Sequence, residues 1–319
     1  MSGKLSTALF SILLLVGTAF AEGKRVGKSV AKHADHEVIT YKKVKTEKGA
    51  FELKLHIFNP KKSAEVNRPC ILLIHGGGWN SGEPAKYFSA AKKWASLGLV
   101  AISAEYRIRD HHGGNALDSV RDAKSAMRWV RSHAKELKVD PNRIAAQGSS
   151  AGGHLAAACA TLTSFNEEGE DTSISCLPNA LLLKSPVLDN GPGGYGRYKK
   201  EVSENWKEFS PFHNVRKGIP PTLVSVGTEE KKYLRVEIAK DLKRKMEDLG
   251  GRCELIVLEG ATHRKRTKQQ NQLVSKAQLK FLRSLGFIQK KVRVRSLELD
   301  ARATLGFFKR IYLRFSSVQ

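Results

Sequence analysis

The pentapeptide Gly148-Ser149-Ser150-Ala151-Gly152 decides the fold of this chain. It follows an apolar run at residues 143–147 and opens an alanine-rich stretch at residues 154–162, an order typical of a strand, a sharp turn and a helix. The central serine of such a turn projects its hydroxyl above the sheet. Glycines flank it because a Cβ there would collide with the strand or the helix. The pentapeptide therefore predicts a nucleophile, Ser150.

A second glycine-rich motif lies about 70 residues earlier in the chain. A buried-strand pattern at residues 71–74 ends in His75-Gly76-Gly77-Gly78-Trp79. Consecutive glycines let backbone N–H groups point inward together, as the stabilisation of an oxyanion requires. We predict an oxyanion hole formed by the N–H groups of Gly77, Gly78 and Ala151, the last at the positive end of a helix. We expect His75 to brace the glycine turn rather than to transfer protons.

Together, the two motifs resemble those of α/β-hydrolase-fold esterases and lipases with a His-Gly-Gly-Gly loop, the hormone-sensitive-lipase-like and feruloyl- and acetyl-esterase-like enzymes. Two further segments carry the resemblance, Ala104-Glu105-Tyr106-Arg107 and Asp140-Pro141-Asn142-Arg143-Ile144. The resemblance covers residues from about 51 to 288. It implies an α/β-hydrolase fold, with a mainly parallel central sheet flanked by helices on both faces. It also implies catalytic residues in the order serine, acid, histidine.

A serine nucleophile needs a base, and the base needs an acid that orients it. His263 follows the last predicted strand, where a loop can carry the imidazole to Ser150, and the resemblance assigns the base to the same position. The related enzymes usually have Gly-Thr-x-Asp at the acid, whereas this chain has Gly227-Thr228-Glu229-Glu230, which makes Glu230 the expected acid. Asp189 is the alternative acid, and a chain without a working acid is the third possibility.

Two segments depart from the pattern of the related enzymes. Arg264-Lys265-Arg266 follows His263, where the relatives tend to have glycine and aromatic residues, and residues 289–319 match nothing in the family. With the altered acid motif, these departures leave full activity open. Three aromatic residues are candidates either for a pocket that takes an aromatic or sugar group or for plain packing: Trp79, Tyr195 and Tyr198.

Alternating strands and helices predict a mainly parallel sheet. Apolar patterns predict strands at residues 38–41, 51–58, 70–74, 99–104, 143–146, 180–187, 222–226 and 253–258. They predict helices at residues 86–96, 117–137, 236–249 and 273–285, and a loop or lid at residues 192–206. The four cysteines, at positions 70, 159, 176 and 253, lack metal-site spacing, and no metal or organic cofactor is expected. Cys159 and Cys176 form the pair to test for a disulfide.

Residues 1–21 have the pattern of a secretory signal, with Lys4, an apolar centre at residues 9–16 and the cleavage pattern Ala19-Phe20-Ala21. The apolar centre is too short to span a membrane. Residues 22–288 are expected to form one catalytic domain, and no later segment reaches transmembrane length. We therefore expect a secreted or periplasmic protein that has no transmembrane segment once the signal is removed.

The chain of 319 residues has a formal net charge of +24, and about half of it lies near the C-terminus. Residues 264–319 contain 15 lysines and arginines but only two acidic residues, Glu298 and Asp300. The basic extension at residues 289–319 has no assigned role: it fits either a polyanion or membrane surface, or a solvated tail without a partner. No nucleic-acid motif accompanies the charge, and no nucleic-acid partner is expected.

The sequence favours an exported serine hydrolase of carboxylic esters that acts through an acyl-enzyme. Its expected substrates are small esters or acetylated or feruloylated polysaccharide, by resemblance and export. Two other classes stay open. An exopeptidase of the same fold would need acidic residues for a free amine. A non-catalytic binder of carbohydrate or polyanion would use the altered acid motif and the basic extension. The oligomeric state is not indicated.

Overall fold

The computed structural model describes residues 31–33, 35–61 and 67–289. The predicted signal at residues 1–21 and the basic extension beyond residue 289 lie outside the described residues. The strands are β1 (Ala31–His33), β2 (His36–Thr46), β3 (Gly49–Phe58), β4 (Arg68–Ile74), β5 (Val100–Ala104), β6 (Val139–Ser149), β7 (Ala180–Lys184), β8 (Thr222–Gly227) and β9 (Cys253–Leu258). They form one sheet in the order β1-β2-β3-β5-β4-β6-β7-β8-β9.

The sheet is antiparallel at its N-terminal edge and parallel elsewhere. β1, β2 and β3 pair antiparallel, and β3 also pairs antiparallel with β5. From β5 through β4 to β9, every pairing is parallel. All residues of β4 and β8 are buried, which explains their continuous apolar runs, because helices cover both faces of a parallel sheet. The mainly parallel sheet predicted from the sequence is confirmed.

Helices pack on both faces of this sheet. They are α1 (Phe88–Ser96), α2 (Arg109–His112), α3 (Ala116–Ser132), α4 (Ala151–Thr161), α5 (Lys200–Glu204), α6 (Trp206–Phe209), α7 (Val236–Asp248) and α8 (Lys268–Ser284). One face carries α3, α4 and α7, whose apolar residues share a core with Leu72 and Ile74. The other carries α1 and α8, packed against Ile71 and Leu73. Within the described ranges, no helix has the length and hydropathy needed to cross a bilayer.

Several element boundaries differ from the prediction. α8 begins at Lys268, five residues early, because Thr267 and Gln270 form a reciprocal capping box at its N-terminus. The strand predicted at residues 180–187 ends at Lys184, since Ser185 adopts a positive φ of 41°. The predicted loop at residues 192–206 contains α5 and a short 3₁₀ turn, Tyr195–Tyr198.

All four cysteines are free thiols. The pair singled out from the sequence forms no disulfide, and the Cys176 thiol instead donates a hydrogen bond to the backbone oxygen of Cys159, at 3.5 Å. Burial raises the pKa of the Cys70 and Cys159 thiols well above the usual range. These thiols therefore serve as small apolar core residues.

A buried ion cluster ties the antiparallel edge to the helical layer. The Asp122 carboxylate, on α3, is fully buried and accepts hydrogen bonds from Arg107 Nε at 2.8 Å and from Lys42 Nζ, on β2, at 2.7 Å. The backbone N–H of Arg107 also donates to it, at 2.8 Å. Glu167 accepts from both cations at 2.8 and 2.7 Å. A buried carboxylate with this many donors is satisfied, and removing its charge leaves two cations underpaired.

Asp122→Asn should therefore lower the free energy of unfolding by about 3–5 kcal/mol, the usual result of breaking a buried ion pair from one side. Urea denaturation followed by tryptophan fluorescence measures this change. Asp241→Asn is the matched control, because Asp241 pairs with Arg244 on the exposed face of α7 and should cost less than about 1 kcal/mol. Equal stability of the two variants would contradict a structural role for the cluster.

Two histidines next to the glycine-rich motifs are buried in the neutral form. Burial lowers the pKa of His75 to about 4 and that of His154 to about 4. The His154 ring stacks on Phe209 and donates from Nε2 to the backbone oxygen of that residue at 2.8 Å. The unfolded chain, with histidine pKa values near 6.5, binds more protons than the folded chain between about pH 6.5 and 4. Stability is therefore lost as the pH falls through this window.

Urea denaturation at pH 7.5 and pH 5 tests this linkage. Each buried histidine should remove about 2 kcal/mol of stability on going to pH 5. In His154→Gln the loss should shrink by about that amount, because glutamine does not titrate. His111→Gln, at an exposed position, should keep the pH dependence of the original chain. If the pH dependence of stability is unchanged in His154→Gln, His154 must take up a proton as readily in the folded protein as in the unfolded chain.

Candidate functional site

The nucleophile turn is held by close backbone contacts. Ser150 has φ 56° and ψ −124° and joins β6 to α4. A Cβ on Gly148 would lie 2.0 Å from the backbone oxygen of Gly152, and a Cβ on Gly152 would lie 2.2 Å from that of Ile74, on β4. Real side chains do not approach backbone this closely, so both glycines are required, as the sequence predicts. The strained φ places the Ser150 side chain above the strand ends.

Neighbouring elements anchor the Ser150 backbone on both sides. Its N–H donates to the backbone oxygen of Lys184, at the end of β7, at 3.0 Å. Its carbonyl oxygen accepts from the N–H groups of His154 and Val187 at 3.0 and 3.2 Å. The unfavourable dihedral angles persist because these bonds and the glycine contacts leave the turn no alternative.

The structure brings Ser150, His263 and Glu230 into one hydrogen-bonded chain. His263 Nε2 lies 3.0 Å from Ser150 Oγ, and His263 Nδ1 lies 2.9 Å from Glu230 Oε2. Because an ionised carboxylate only accepts, Nδ1 carries the proton and Nε2 is left to accept from the serine hydroxyl. This is the arrangement of a nucleophile, a base and an orienting acid.

Glu230 follows β8 and its side chain is fully buried. Burial alone would raise the pKa of this carboxyl group. Hydrogen bonds from His263 and Ser185 outweigh that effect and hold the pKa of Glu230 below its usual value. Glu230 is therefore ionised at neutral pH. It accepts a hydrogen bond from Nδ1–H, and the proton remains on the imidazole ring.

Asp189, the alternative acid from the sequence, lies away from this chain of bonds. Its Oδ1 accepts from the backbone N–H of Gly191 at 2.9 Å and lies 3.6 Å from Nδ1 of His213. The described contacts of His263 are with Glu230 and Ser150. The structure therefore places Glu230, after β8, and not Asp189, after β7, at the imidazole of His263.

The glycine loop after β4 lies beside the nucleophile. Gly77 has φ 145°, and a Cβ there would lie 1.7 Å from the backbone oxygen of Ser81. Gly78 has φ 65°, in the left-handed region. His75 braces the loop as expected, with Nδ1 3.0 Å from the backbone oxygen of Gly76. On the other side of the nucleophile, Ala151 is the first residue of α4, whose leading N–H groups have no partner within the helix.

The three aromatic candidates differ in burial, and the rings of Trp79 and Tyr195 contact each other at 5.5 Å between centroids. Trp79 is fully buried and packs edge-on against His154 and Phe209, so it is a core residue. Tyr195 lies against the loop, because a Cβ on Gly78 would come within 2.4 Å of its hydroxyl oxygen. Tyr198 is 72% exposed. Of the three, Tyr195 is the one whose hydroxyl lies against Gly78.

Two residues behind the acid were not identified from the sequence. Ser185 donates a short hydrogen bond to Glu230 Oε1, and Arg266 Nη2 donates to Ser185 Oγ at 2.8 Å. Arg266 belongs to the basic triplet after His263, which the sequence marks as unusual. Spacing alone gives no sign that its side chain turns back beneath β7 and β8. Among the described residues, no three His, Cys, Asp or Glu side chains are arranged to hold a metal ion.

Comparisons with known proteins agree with this geometry. The family model described as BD-FAE matches residues 55–180. Esterase 2 of Thermogutta terrifontis, solved after phosphoramylation by tabun, is 36% identical, with a TM-score of 0.74, and the match covers 82% of this chain and 98% of that one. Structures of an esterase of the same species contain bound propionate or butyrate.

The curated relatives match smaller parts of this chain. A probable isoprenylcysteine alpha-carbonyl methylesterase of Arabidopsis thaliana is 25% identical over 66% of this chain and 48% of its own length. Esterase LipC of Mycobacterium tuberculosis is 27% identical over 55% of this chain and 48% of its own length. The chain thus spans about half the length of these curated relatives. The fold, the motifs and these similarities together show that the chain belongs to the α/β-hydrolase-fold carboxylesterases with a His-Gly-Gly-Gly loop.

Proposed function

We propose that this chain hydrolyses carboxylic esters through an acyl-enzyme on Ser150. The hydrogen-bonded chain from Ser150 through His263 to Glu230 is the observation that carries the proposal. The glycine loop beside it supplies the second requirement of acyl transfer, a place for the developing negative charge. Phosphoramylation of the Thermogutta esterase by tabun supports a reactive nucleophile in this family.

In the first step, Ser150 Oγ attacks the ester carbonyl carbon and its proton passes to His263 Nε2. The carbonyl oxygen becomes an oxyanion, and the Glu230 carboxylate stabilises the imidazolium without being protonated. Collapse of the tetrahedral intermediate breaks the bond to the alcohol oxygen, which takes the proton from Nε2. Water then attacks the acyl-enzyme by the same route and releases the acid and Ser150.

We assign the oxyanion to the N–H groups of Gly77, Gly78 and Ala151. The first two belong to the loop after β4, and the third opens α4, whose N-terminus favours negative charge. Each such donor contributes about 3 kcal/mol to transition-state stabilisation. The close contacts of Gly148 and Gly152 hold these two sources of N–H groups on either side of the serine.

We propose short acyl groups as the preferred acid part of the substrate. Tyr195 narrows the space beside Gly78, and the propionate and butyrate bound to a Thermogutta esterase support the same size class. Acetyl groups on polysaccharide fall in this class and fit the export expected from residues 1–21. None of the described contacts around Ser150 adds a pair of acidic side chains for a free amine, which disfavours the exopeptidase alternative.

A fluorophosphonate probe should label one serine in this protein, because only an activated hydroxyl attacks phosphorus quickly. Intact-mass analysis should show one adduct on the original chain and on Ser149→Ala, the matched neighbour, and none on Ser150→Ala. Hydrolysis of p-nitrophenyl acetate, p-nitrophenyl butyrate and acetylated xylan should disappear with the label. An original chain that is neither labelled nor active would support the binder alternative.

Glu230→Gln should lower kcat by about 10³-fold to 10⁴-fold, because an amide permits the wrong imidazole tautomer and cannot stabilise the imidazolium. Glu229→Gln is the matched control, since Glu229 is exposed and one residue away, and it should keep the original kcat. Asp189→Asn should also be nearly silent. A crippled Asp189→Asn beside an active Glu230→Gln would move the acid to the loop after β7.

A further inference from the structure

The acid of the proposed triad is supported from behind by a serine and an arginine. Ser185 Oγ donates to Glu230 Oε1, while His263 Nδ1 donates to Oε2. Arg266 Nη2 donates to Ser185 Oγ at 2.8 Å, and its Nη1 lies 3.3 Å from Ser225 Oγ, on β8. Both carboxylate oxygens of Glu230 are thereby fixed.

The arginine determines which way the serine hydroxyl points. A guanidinium has only donors, so the bond between Arg266 Nη2 and Ser185 must use a lone pair of Oγ. The hydroxyl hydrogen of Ser185 is then free to point at Glu230 Oε1 and cannot be turned toward Arg266. Ser185 thus accepts a hydrogen bond from Arg266 and donates one to Glu230. In this order, the cation strengthens the hydrogen bond that the carboxylate accepts.

The position of Ser185 is tightly determined. It is buried, has φ 41°, and its N–H donates to the backbone oxygen of Ser225 at 2.8 Å. A positive φ at a non-glycine residue is unfavourable and persists only where neighbours enforce it. The turn that ends β7 thus places this hydroxyl under the acid.

Burying the charge of Arg266 opposes folding unless an opposite charge or hydrogen bonds compensate for the lost hydration. Its Nε is buried without a hydrogen-bond partner among the described residues, and burial lowers the pKa of the guanidinium. The described ion pairs include none to Arg266, and Glu230 is the acidic group that counteracts the effect of burial. The pKa of Lys184 is also lowered, by burial and then by Arg266. Arg266 and Lys184 thus both interact electrostatically with the Glu230 carboxylate, which His263 contacts directly.

We propose that Ser185 and Arg266 are positioning residues that hold the Glu230 carboxylate ionised and aimed at His263. This inference rests on the proposed function of Glu230 as the orienting acid. Glutamate has one more rotatable bond than the aspartate usual in the family, and so loses more freedom when it is fixed. Ser185 and Arg266, together the brace, supply that restraint, and Arg266 is the residue of the unusual basic triplet that belongs to the site.

Three variants and one control separate this role from packing. Ser185→Ala removes one charge-assisted hydrogen bond and should lower kcat about tenfold to a hundredfold. Arg266→Met removes the cation, which makes protonation of the surrounding groups easier. The acid limb of kcat/KM should then move to higher pH. Arg266→Lys keeps the charge and should restore most of the limb. Arg264→Met, at an exposed neighbouring position, should match the original chain.

NMR of histidine-labelled protein gives a readout that needs no turnover. The His263 ring signal is identified as the one lost in His263→Gln. At one fixed pH it should move in Arg266→Met but not in Arg264→Met, because the Glu230 carboxylate that accepts from Nδ1 is no longer held in place. Equal pH profiles and equal ring signals in Arg266→Met and the original chain would overturn the brace, even with esterase activity intact. An original chain without labelling or activity would overturn the proposed function, while the NMR shift would still report the brace. Urea denaturation identifies variants that fail to fold. If Ser185→Ala is one of them, the comparison of Arg266→Lys with Arg266→Met tests the brace instead.

Discussion

The close approach of backbone to backbone at the nucleophile turn is the constraint on which the rest of the site depends. The turn fits between β4 and α4 only because Gly148 and Gly152 lack a Cβ. The backbone of Ser150 adopts unfavourable dihedral angles in this turn. This contact places the serine hydroxyl, the first N–H groups of α4 and the glycine loop after β4 within one small region. The position of every other functional group is defined relative to that region.

The parallel sheet supplies the remaining groups from a single edge. β4, β6, β7, β8 and β9 all end near the same place, so the loops after them contribute the glycines, the serine, Ser185, Glu230 and His263 in turn. The antiparallel strands β1, β2 and β3, at one side of the sheet, contribute none of these groups among the described residues. There, the ion cluster around Asp122 joins β2 to α3 and holds the N-terminal strands to the domain.

Local motifs and the resemblance they carry were sufficient to predict the fold and to name the serine, histidine and glutamate that the structure brings together. The two glycine motifs follow from backbone sterics, whereas the acid was expected at Glu230 because the related enzymes usually have Gly-Thr-x-Asp where this chain has Gly227-Thr228-Glu229-Glu230. The start of α8 is set by the capping box of Thr267 and Gln270, which apolar periodicity, beginning at Leu273, does not show. Ser185 and Arg266 could not be found, because their meeting depends on side-chain directions across 81 residues of chain.

The spacing of the triad along the chain has a consequence for how the protein is made. His263 reaches Ser150 across 113 residues and Glu230 across 33, and both loops are positioned only after β8 and β9 have joined the sheet. Contacts at such separations form late, since the intervening chain must be ordered first. A nascent or partly folded chain would carry the serine turn without its base. The base and the acid therefore join the serine only when the last strands of the sheet are in place.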